Sequence, residues 1–159
     1  MVTVLVTGTN RGLGLEFVRQ YAESGAHVHA CAREPSAASE LQSFAKSSKN
    51  ITIHALDVED RMAVNALGKT LSGEAIDILI NNAGLGTSAA ERARGDTDID
   101  YDRWERMFRV NALAPFYIAQ TFRDHLKQSQ QKKLVTITSQ MGSTARASGG
   151  AWPYRSTKA

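Results

Sequence analysis

A chain of 159 residues with 42% hydrophobic and 22% charged residues has the length and apolar content for one globular domain with a sizeable core. Its 19 basic and 16 acidic residues leave a net charge of +3 and are spread along the chain, without the concentrated basic stripe that nucleic acid binding requires. The lone Cys31 excludes an internal disulfide and a cysteine-rich metal site, and no metal is expected. No apolar run approaches the ~20 residues of a membrane span. The first strand starts at Val2, with no room for a signal peptide, so the expected setting is cytoplasmic and away from membranes.

The chain opens on an apolar run, Val2–Val6, followed by Thr7-Gly8-Thr9-Asn10-Arg11-Gly12-Leu13-Gly14 and an amphipathic segment with Leu13, Phe17, Val18, Tyr21 and Ala22 on one side. Strand, glycine turn and helix is the context of a dinucleotide-binding loop, although a glycine trio alone is also compatible with a plain tight turn. Small residues let the backbone approach a pyrophosphate, and the new helix offers free N–H groups and the positive end of its dipole. Gly25 marks a stop, and His27–Ala32 reads as the second strand, with a turn at Arg33–Ser36. A helix carrying Leu41, Phe44 and Ala45 precedes a third strand, Ile51–Leu56, which Asp57 ends. Val64, Leu67 and Leu71 have helical spacing and Gly73 stops that helix. Ile76–Ile80 is the fourth strand and Asn81-Asn82-Ala83-Gly84 its turn. Residues 85–100 read as a polar loop without a period, and a long helical pattern runs from about Tyr101 to Lys127. Leu134–Thr138 is the fifth strand; a loop rich in Gly, Ser and Ala leads to a further helix near Trp152-Pro153-Tyr154.

Strands alternating with helices predict an α/β fold, a Rossmann-type doubly wound parallel sheet. Ligands of such sheets bind beyond the carboxyl ends of the strands. The glycine turn, Arg33, Asp57, Asn81 and Ser139 each follow a strand, and five such polar positions at one edge read as a site. Tyr154 and Lys158, four residues apart, share a helical face, a spacing also common by chance. A free tyrosine has a pKa of ~10, and bringing it to neutrality takes about 4 kcal/mol of differential interaction, which a lysine and a cationic nicotinamide can supply together. Asn111 lies inside the long helical pattern, four residues before Pro115. Two readings stand side by side: a kink that leaves the Asn111 carbonyl facing the site, where it holds a water, or a second helix started by Pro115 and capped by Asn111.

Taken together, these residues resemble the classical short-chain dehydrogenase/reductase family over the whole chain. The resemblance rests on the segment Thr7–Gly14, Asp57, Asn81–Gly84, Asn111, Ser139 and Tyr154–Lys158. Within it, Val110–Phe116 and Thr138–Ser143 look more like the C-factor/sniffer-like carbonyl reductase branch. The resemblance implies NAD(P)(H)-dependent hydride transfer between the nicotinamide and a small carbonyl or alcohol substrate. It makes Tyr154 the general acid, with Lys158 lowering its pKa and holding the nicotinamide ribose. Ser139 orients the substrate, and Asn111 supports a proton-relaying water. For the cofactor it implies Gly8, Asn10, Arg11, Gly12, Leu13 and Gly14 at the pyrophosphate turn. It places Asp57 at the adenine and Asn81 at the sheet edge and the cofactor, and implies that Val58, Ala83, Gly84 and Tyr154 are also cofactor-binding. An NAD enzyme usually has an acidic residue near the end of strand two; here Ala32 and Arg33 stand there, with Arg11 in the glycine turn. Two guanidinium groups suit a 2′-phosphate, so NADP(H) is expected in preference to NAD(H), unless both arginines are simply surface charges.

The family domain continues past the lysine with further strands, whereas this sequence ends one residue after Lys158. Residues 1–159 are therefore expected to be a single nucleotide-binding domain, incomplete at its C-terminal side, with strands one to five only. The complete form is expected to be a homo-oligomer. A nucleotide-binding module without turnover and a protein-interaction fragment are the alternatives to the enzyme.

Overall fold

The computed structural model of the chain describes residues 1–88, 90–91, 98–147 and 149–159. The chain divides into two compact units, Met1–Ala83 with Tyr117–Ile137 and Gly84–Phe116 with Thr138–Ala159.

The first unit is built on a five-stranded parallel sheet in the order β3-β2-β1-β4-β5. The strands are β1 (Thr3–Thr7), β2 (His27–Ala32), β3 (Ile51–Ala55), β4 (Ile78–Asn81) and β5 (Lys133–Thr136). Register is continuous from Thr3 beside His27 to Thr7 beside Cys31, and from Val4 beside Ile78 to Val6 beside Ile80. Because all strands run the same way, every carboxyl end lies on one edge.

Side chains alternate across a strand. On one face Val4, Val6, Val28, Ala30, Ile78 and Ile80 pack with Leu15 and Val18 of α1 (Gly12–Glu23) and Leu41 of α2 (Ser39–Ser47) in a single core. The alternate residues Leu5, Cys31 and Leu79 are buried on the opposite face. There α3 (Arg61–Thr70) contributes buried Val64 and Leu67, and the segment α5 (Ala114–Thr121) contributes Ile118, with buried Phe122 between it and α6 (Arg123–Gln128). Thr121 Cγ2 lies 2.7 Å from where a Cβ on Gly68 would be, and His125 Nε2 bonds the Gly68 carbonyl at 3.1 Å, so side chains of the α5–α6 segment pack directly on the α3 backbone. The His125 carbonyl accepts from the Ile76 N–H at 3.2 Å and fixes the entry to β4. Burial pushes the Cys31 thiol up to about 12, which makes it a packing group rather than a nucleophile. The doubly wound parallel sheet expected from the sequence is thus the observed fold.

Leu13 departs from its expected place on the apolar side of α1. It is 63% exposed, while Leu15 and Val18 are buried.

In the second unit, α4 (Tyr101–Phe108) is capped by Asp100, whose Oδ1 accepts from the Arg103 N–H at 2.9 Å. It runs into a π turn, Arg109–Leu113, and residues 114–116 follow. Two short 3-10 turns, Gln140–Gly142 and Thr144–Arg146, lead to α7 (Trp152–Lys158). Part of the expected 85–100 loop, namely Ala89 and residues 92–97, falls outside the described residues. No described helix is long and apolar enough to cross a membrane.

Candidate functional site

In the sheet unit, the glycine turn is held from both sides. Gly8 has φ +70°, and a Cβ there would lie 2.8 Å from Ala83 Cα. A Cβ on Gly14 would lie 2.2 Å from the Gly8 carbonyl oxygen and 2.5 Å from Asn82 Nδ2. Asn82 Nδ2 donates to the carbonyls of Thr7 (2.9 Å) and Gly8 (3.0 Å), while Thr7 Oγ1 accepts from the N–H groups of Asn82 (3.1 Å) and Ala83 (3.0 Å). Thr9 ties the same turn to the end of β2, donating to the Cys31 carbonyl from its N–H (3.0 Å) and its hydroxyl (3.1 Å). The turn, Asn82 and Ala83 are therefore one hydrogen-bonded body.

Gly12, at φ +59°, has no atom within 4 Å of where a Cβ would be. Arg11, the residue before α1, is extended and makes no side-chain cap bond. The first turn of a twelve-residue helix thus presents its N–H groups uncapped by Arg11, on an open side of the glycine turn. That geometry fits a pyrophosphate. Arg33 follows β2 with a 60% exposed side chain, its Nε 4.0 Å from Glu34. Asp57 follows β3 and accepts from the Glu59 N–H at 3.0 Å, which fixes its carboxylate at the same sheet edge; Val58 beside it is buried. Asn10 is exposed, as is Leu13.

In the second unit the other predicted residues gather around α7. Asn111 is buried in the π turn and its side chain reaches away from its own helix. Its Oδ1 accepts from the Leu85 N–H (2.8 Å), and its Nδ2 donates to the Leu85 carbonyl and to Thr157 Oγ1 (both 2.9 Å). Asn111 is thus no helix cap; it staples the residue after Gly84 to the last turn of α7. Trp104 Nε1 donates to Ser156 Oγ at 2.9 Å, a second tie between α4 and α7. Ser139 Oγ accepts from the Met141 N–H at 3.1 Å, which leaves its O–H proton to donate elsewhere. The following turn is latched to α7 by Arg155, which donates to the carbonyls of Met141 (3.3 Å) and Gly150 (2.8 Å). A Cβ on Gly142 would fall 1.9 Å from the Lys158 carbonyl oxygen, so the turn after Ser139 presses on the residue bearing the amine. Burial lowers the pKa of Lys158 below the usual lysine value of 10.5. Tyr154 lies in the first turn of α7.

Beside it, a cavity of about 350 Å³ is lined by Thr87, Glu91, Asp100, Met141, Ala151 and Pro153, among others. Its wall is braced by Ser88 and Glu91. Glu91 Oε2 accepts from the Ser88 N–H at 2.5 Å, its own N–H donates to Ser88 Oγ at 3.2 Å, and Arg103 Nε donates to Oε1 at 2.6 Å.

The short chain dehydrogenase family matches residues 2–159. The chain belongs to this family. It is 31% identical over 159 residues to (+)-neomenthol dehydrogenase of Arabidopsis thaliana, an alignment covering 87% of this chain and 53% of that protein. The NADPH-bound carbonyl reductase from chicken fatty liver superposes with a TM-score of 0.85 at 31% identity, covering 98% of this chain and 65% of that one. The carbonyl reductase Sniffer of D. melanogaster superposes with a TM-score of 0.84 at 25% identity, covering 99% of this chain and 70% of that one. The chain spans about half the length of the curated relatives it matches, 54% of the first and 57% of the second.

Several residues that shape the site carry signals that sequence reasoning passed over. Thr7, Thr9 and Asn82 are polar groups inside a glycine turn, Gly142 is a glycine next to a catalytic candidate, and Ser88 and Glu91 have the spacing of a capping box. Thr157 gave none, because its partner Asn111 lies 46 residues away.

Proposed function

We propose that the complete protein is an NADPH-dependent oxidoreductase that transfers a hydride between nicotinamide and a carbonyl or alcohol carbon, working chiefly as a carbonyl reductase. The observation that supports this most is the convergence on α7: Asn111, the turn after Ser139 and the half-buried Lys158 are fastened to the helix that carries Tyr154. A site that only held a nucleotide has no use for that acid–base set.

The glycine turn and the first turn of α1 would hold the pyrophosphate. Arg11 and Arg33 would take the 2′-phosphate, Asp57 and Val58 the adenine, and Asn81, Ala83 and Gly84 the cofactor at the sheet edge. The nicotinamide supplies the hydride. Tyr154 gives its phenolic proton to the substrate oxygen as negative charge develops there. Ser139, with Oγ already accepting from Met141, donates its O–H to the same oxygen. Lys158, whose proton burial has loosened, favours the phenolate and replaces the proton that Tyr154 loses. Pro115 has no N–H to offer the Asn111 carbonyl, and that carbonyl is the group we assign to a relaying water. The cavity beside Pro153 is the candidate substrate cleft. The exposed apolar side chains of Tyr101, Leu113 and Phe116 support a homo-oligomeric complete form, and a cytoplasmic setting belongs to the same reading.

The experiment is a titration of the chain with NADPH and with NADH, followed by nicotinamide fluorescence, beside turnover of the complete protein with simple aldehydes and ketones. NADPH should bind more tightly than NADH, and Arg33→Asp should erase most of that difference. Tyr154→Phe should abolish turnover and leave NADPH binding in place. Equal losses for both nucleotides in Arg33→Asp overturn the cofactor assignment; turnover that survives Tyr154→Phe overturns the mechanism.

A further inference from the structure

Four polar side chains meet on the sheet face opposite α1 and α2, and the reaction uses none of them. The alternation of β2 puts His27 and His29 on this face, and β3, in register beside it, adds His54. Glu74 arrives from the turn that follows α3. His29 is the centre of the group: it is buried, its Nδ1 lies 2.9 Å from His54 Nε2, and its Nε2 lies 2.9 Å from Glu74 Oε1. The rings of His27 and His29 have centroids 4.7 Å apart, and His27 Nε2 lies 3.2 Å from Thr52 Oγ1. One ligating atom each from His27, His29 and Glu74 lie within 4.8 Å of one another.

We propose that His27, His29 and Glu74 bind a divalent transition metal, with Zn²⁺ the best fit, and that His54 orients the central ligand. Zinc bonds of about 2.0–2.2 Å to imidazole nitrogen and carboxylate oxygen put neighbouring ligand atoms about 3.3 Å apart in a tetrahedron. The Nε2–Oε1 pair is already near that spacing. The remaining adjustment falls on Glu74, whose side chain is 38% exposed, and on His27, which is only partly buried. Two imidazoles and one carboxylate select zinc, cobalt or nickel over calcium and magnesium, which require sets of oxygen ligands. Three protein ligands leave the fourth position to water.

His54 supplies the outer contact that an oriented ligand needs. With metal on its Nε2, His29 carries a proton on Nδ1 and donates it to His54 Nε2. Spacing along the chain hides this set, since His29 and Glu74 are 45 residues apart. His27 opens β2 beside Thr3, at the amino end of the sheet, whereas the glycine turn leaves its carboxyl end. Metal and nucleotide therefore occupy different ends of the strands, and metal binding is independent of the proposed activity. Its consequence is structural: the ion fastens the turn after α3 to β2.

The test is calorimetric titration of the untagged, chelator-treated chain with zinc sulfate, with cobalt chloride as the spectroscopic probe. The expected result is saturable binding of one equivalent, visible Co²⁺ bands of a low-coordinate nitrogen and oxygen site, and a Zn²⁺-dependent rise in melting temperature. His27→Ala and Glu74→Gln alter accessible side chains, and each should weaken Zn²⁺ binding by about tenfold or more and remove the thermal shift. Circular dichroism of both variants establishes that the fold is retained. Absence of saturable Zn²⁺ binding by the parent chain overturns the proposal. So does Zn²⁺ binding that both folded variants retain at full strength, which would place the ion elsewhere.

Discussion

Gly14 has no room for a single added carbon. The Gly8 carbonyl oxygen and Asn82 Nδ2, which a Cβ would meet at 2.2 and 2.5 Å, are bonded to each other at 3.0 Å, and neither can retreat without breaking the turn. Gly12, two residues earlier, poses the opposite problem: it needs φ +59° but has free space around it. Alanine at Gly12 pays only for its left-handed backbone, about 1–2 kcal/mol, whereas alanine at Gly14 overpacks backbone against backbone, about 2–3 kcal/mol. Urea unfolding of Gly12→Ala and Gly14→Ala should show the larger loss for Gly14→Ala, and equal midpoints would refute the packing argument. The glycine spacing itself was visible in the sequence. Which glycine serves conformation and which serves contact was not, because the contact comes from Asn82, which lies after β4.

At the scale of the element, the helical pattern from Tyr101 to Lys127 shows what local sequence can and cannot say. The missing N–H of Pro115 foretold a disturbance near Asn111, and a disturbance is there. It takes the form of a π turn, in which the Ala114 N–H donates to the Arg109 carbonyl five residues back, rather than a break into two capped helices. The turn swings the Asn111 side chain to Leu85 and Thr157, partners that lie 26 and 46 residues away and leave no local trace. Leu13 fails for a related reason. A run containing Leu13, Leu15, Phe17 and Val18 is apolar on too many phases to choose one face, and the glycine turn makes the choice. The apolar runs of β1, β2 and β4, by contrast, were legible because central parallel strands are buried on both faces. Restoring the amide with Pro115→Ala should let residues 109–113 relax toward a regular α-helix and draw Asn111 from Leu85. The Leu85 amide should then exchange its hydrogen about tenfold faster or more, the loss of roughly 1.4 kcal/mol of local protection. Unchanged exchange at Leu85 would show that the π turn does not depend on proline.

For the whole molecule, the groups with shifted ionisation set how stability varies with pH. Burial opposes the charged form of Glu91, but its hydrogen bonds from Ser88 and Arg103 prevail and hold the carboxyl below its usual 4.5. The folded pKa is depressed, so the stability Glu91 contributes is complete above the unfolded value and is lost as pH falls through the folded one. Lys158 is also depressed, by burial, and here the sign of the contribution reverses. Between the folded pKa and the unfolded value of 10.5 the unfolded chain binds more protons, so stability rises with pH across that window and the charged lysine is a burden below it. A lysine pKa lowered by burial is the direction of shift that the role proposed beside Tyr154 calls for. Melting temperatures across the pH range should therefore change in two separable ways. Glu91→Gln should lower stability at neutral pH and flatten the acid limb. Lys158→Met should raise stability at neutral pH and flatten the alkaline rise, while abolishing turnover in the complete protein. A Lys158→Met chain less stable than its parent at neutral pH would show that the amine is a structural contact and would remove the ionisation argument for its role.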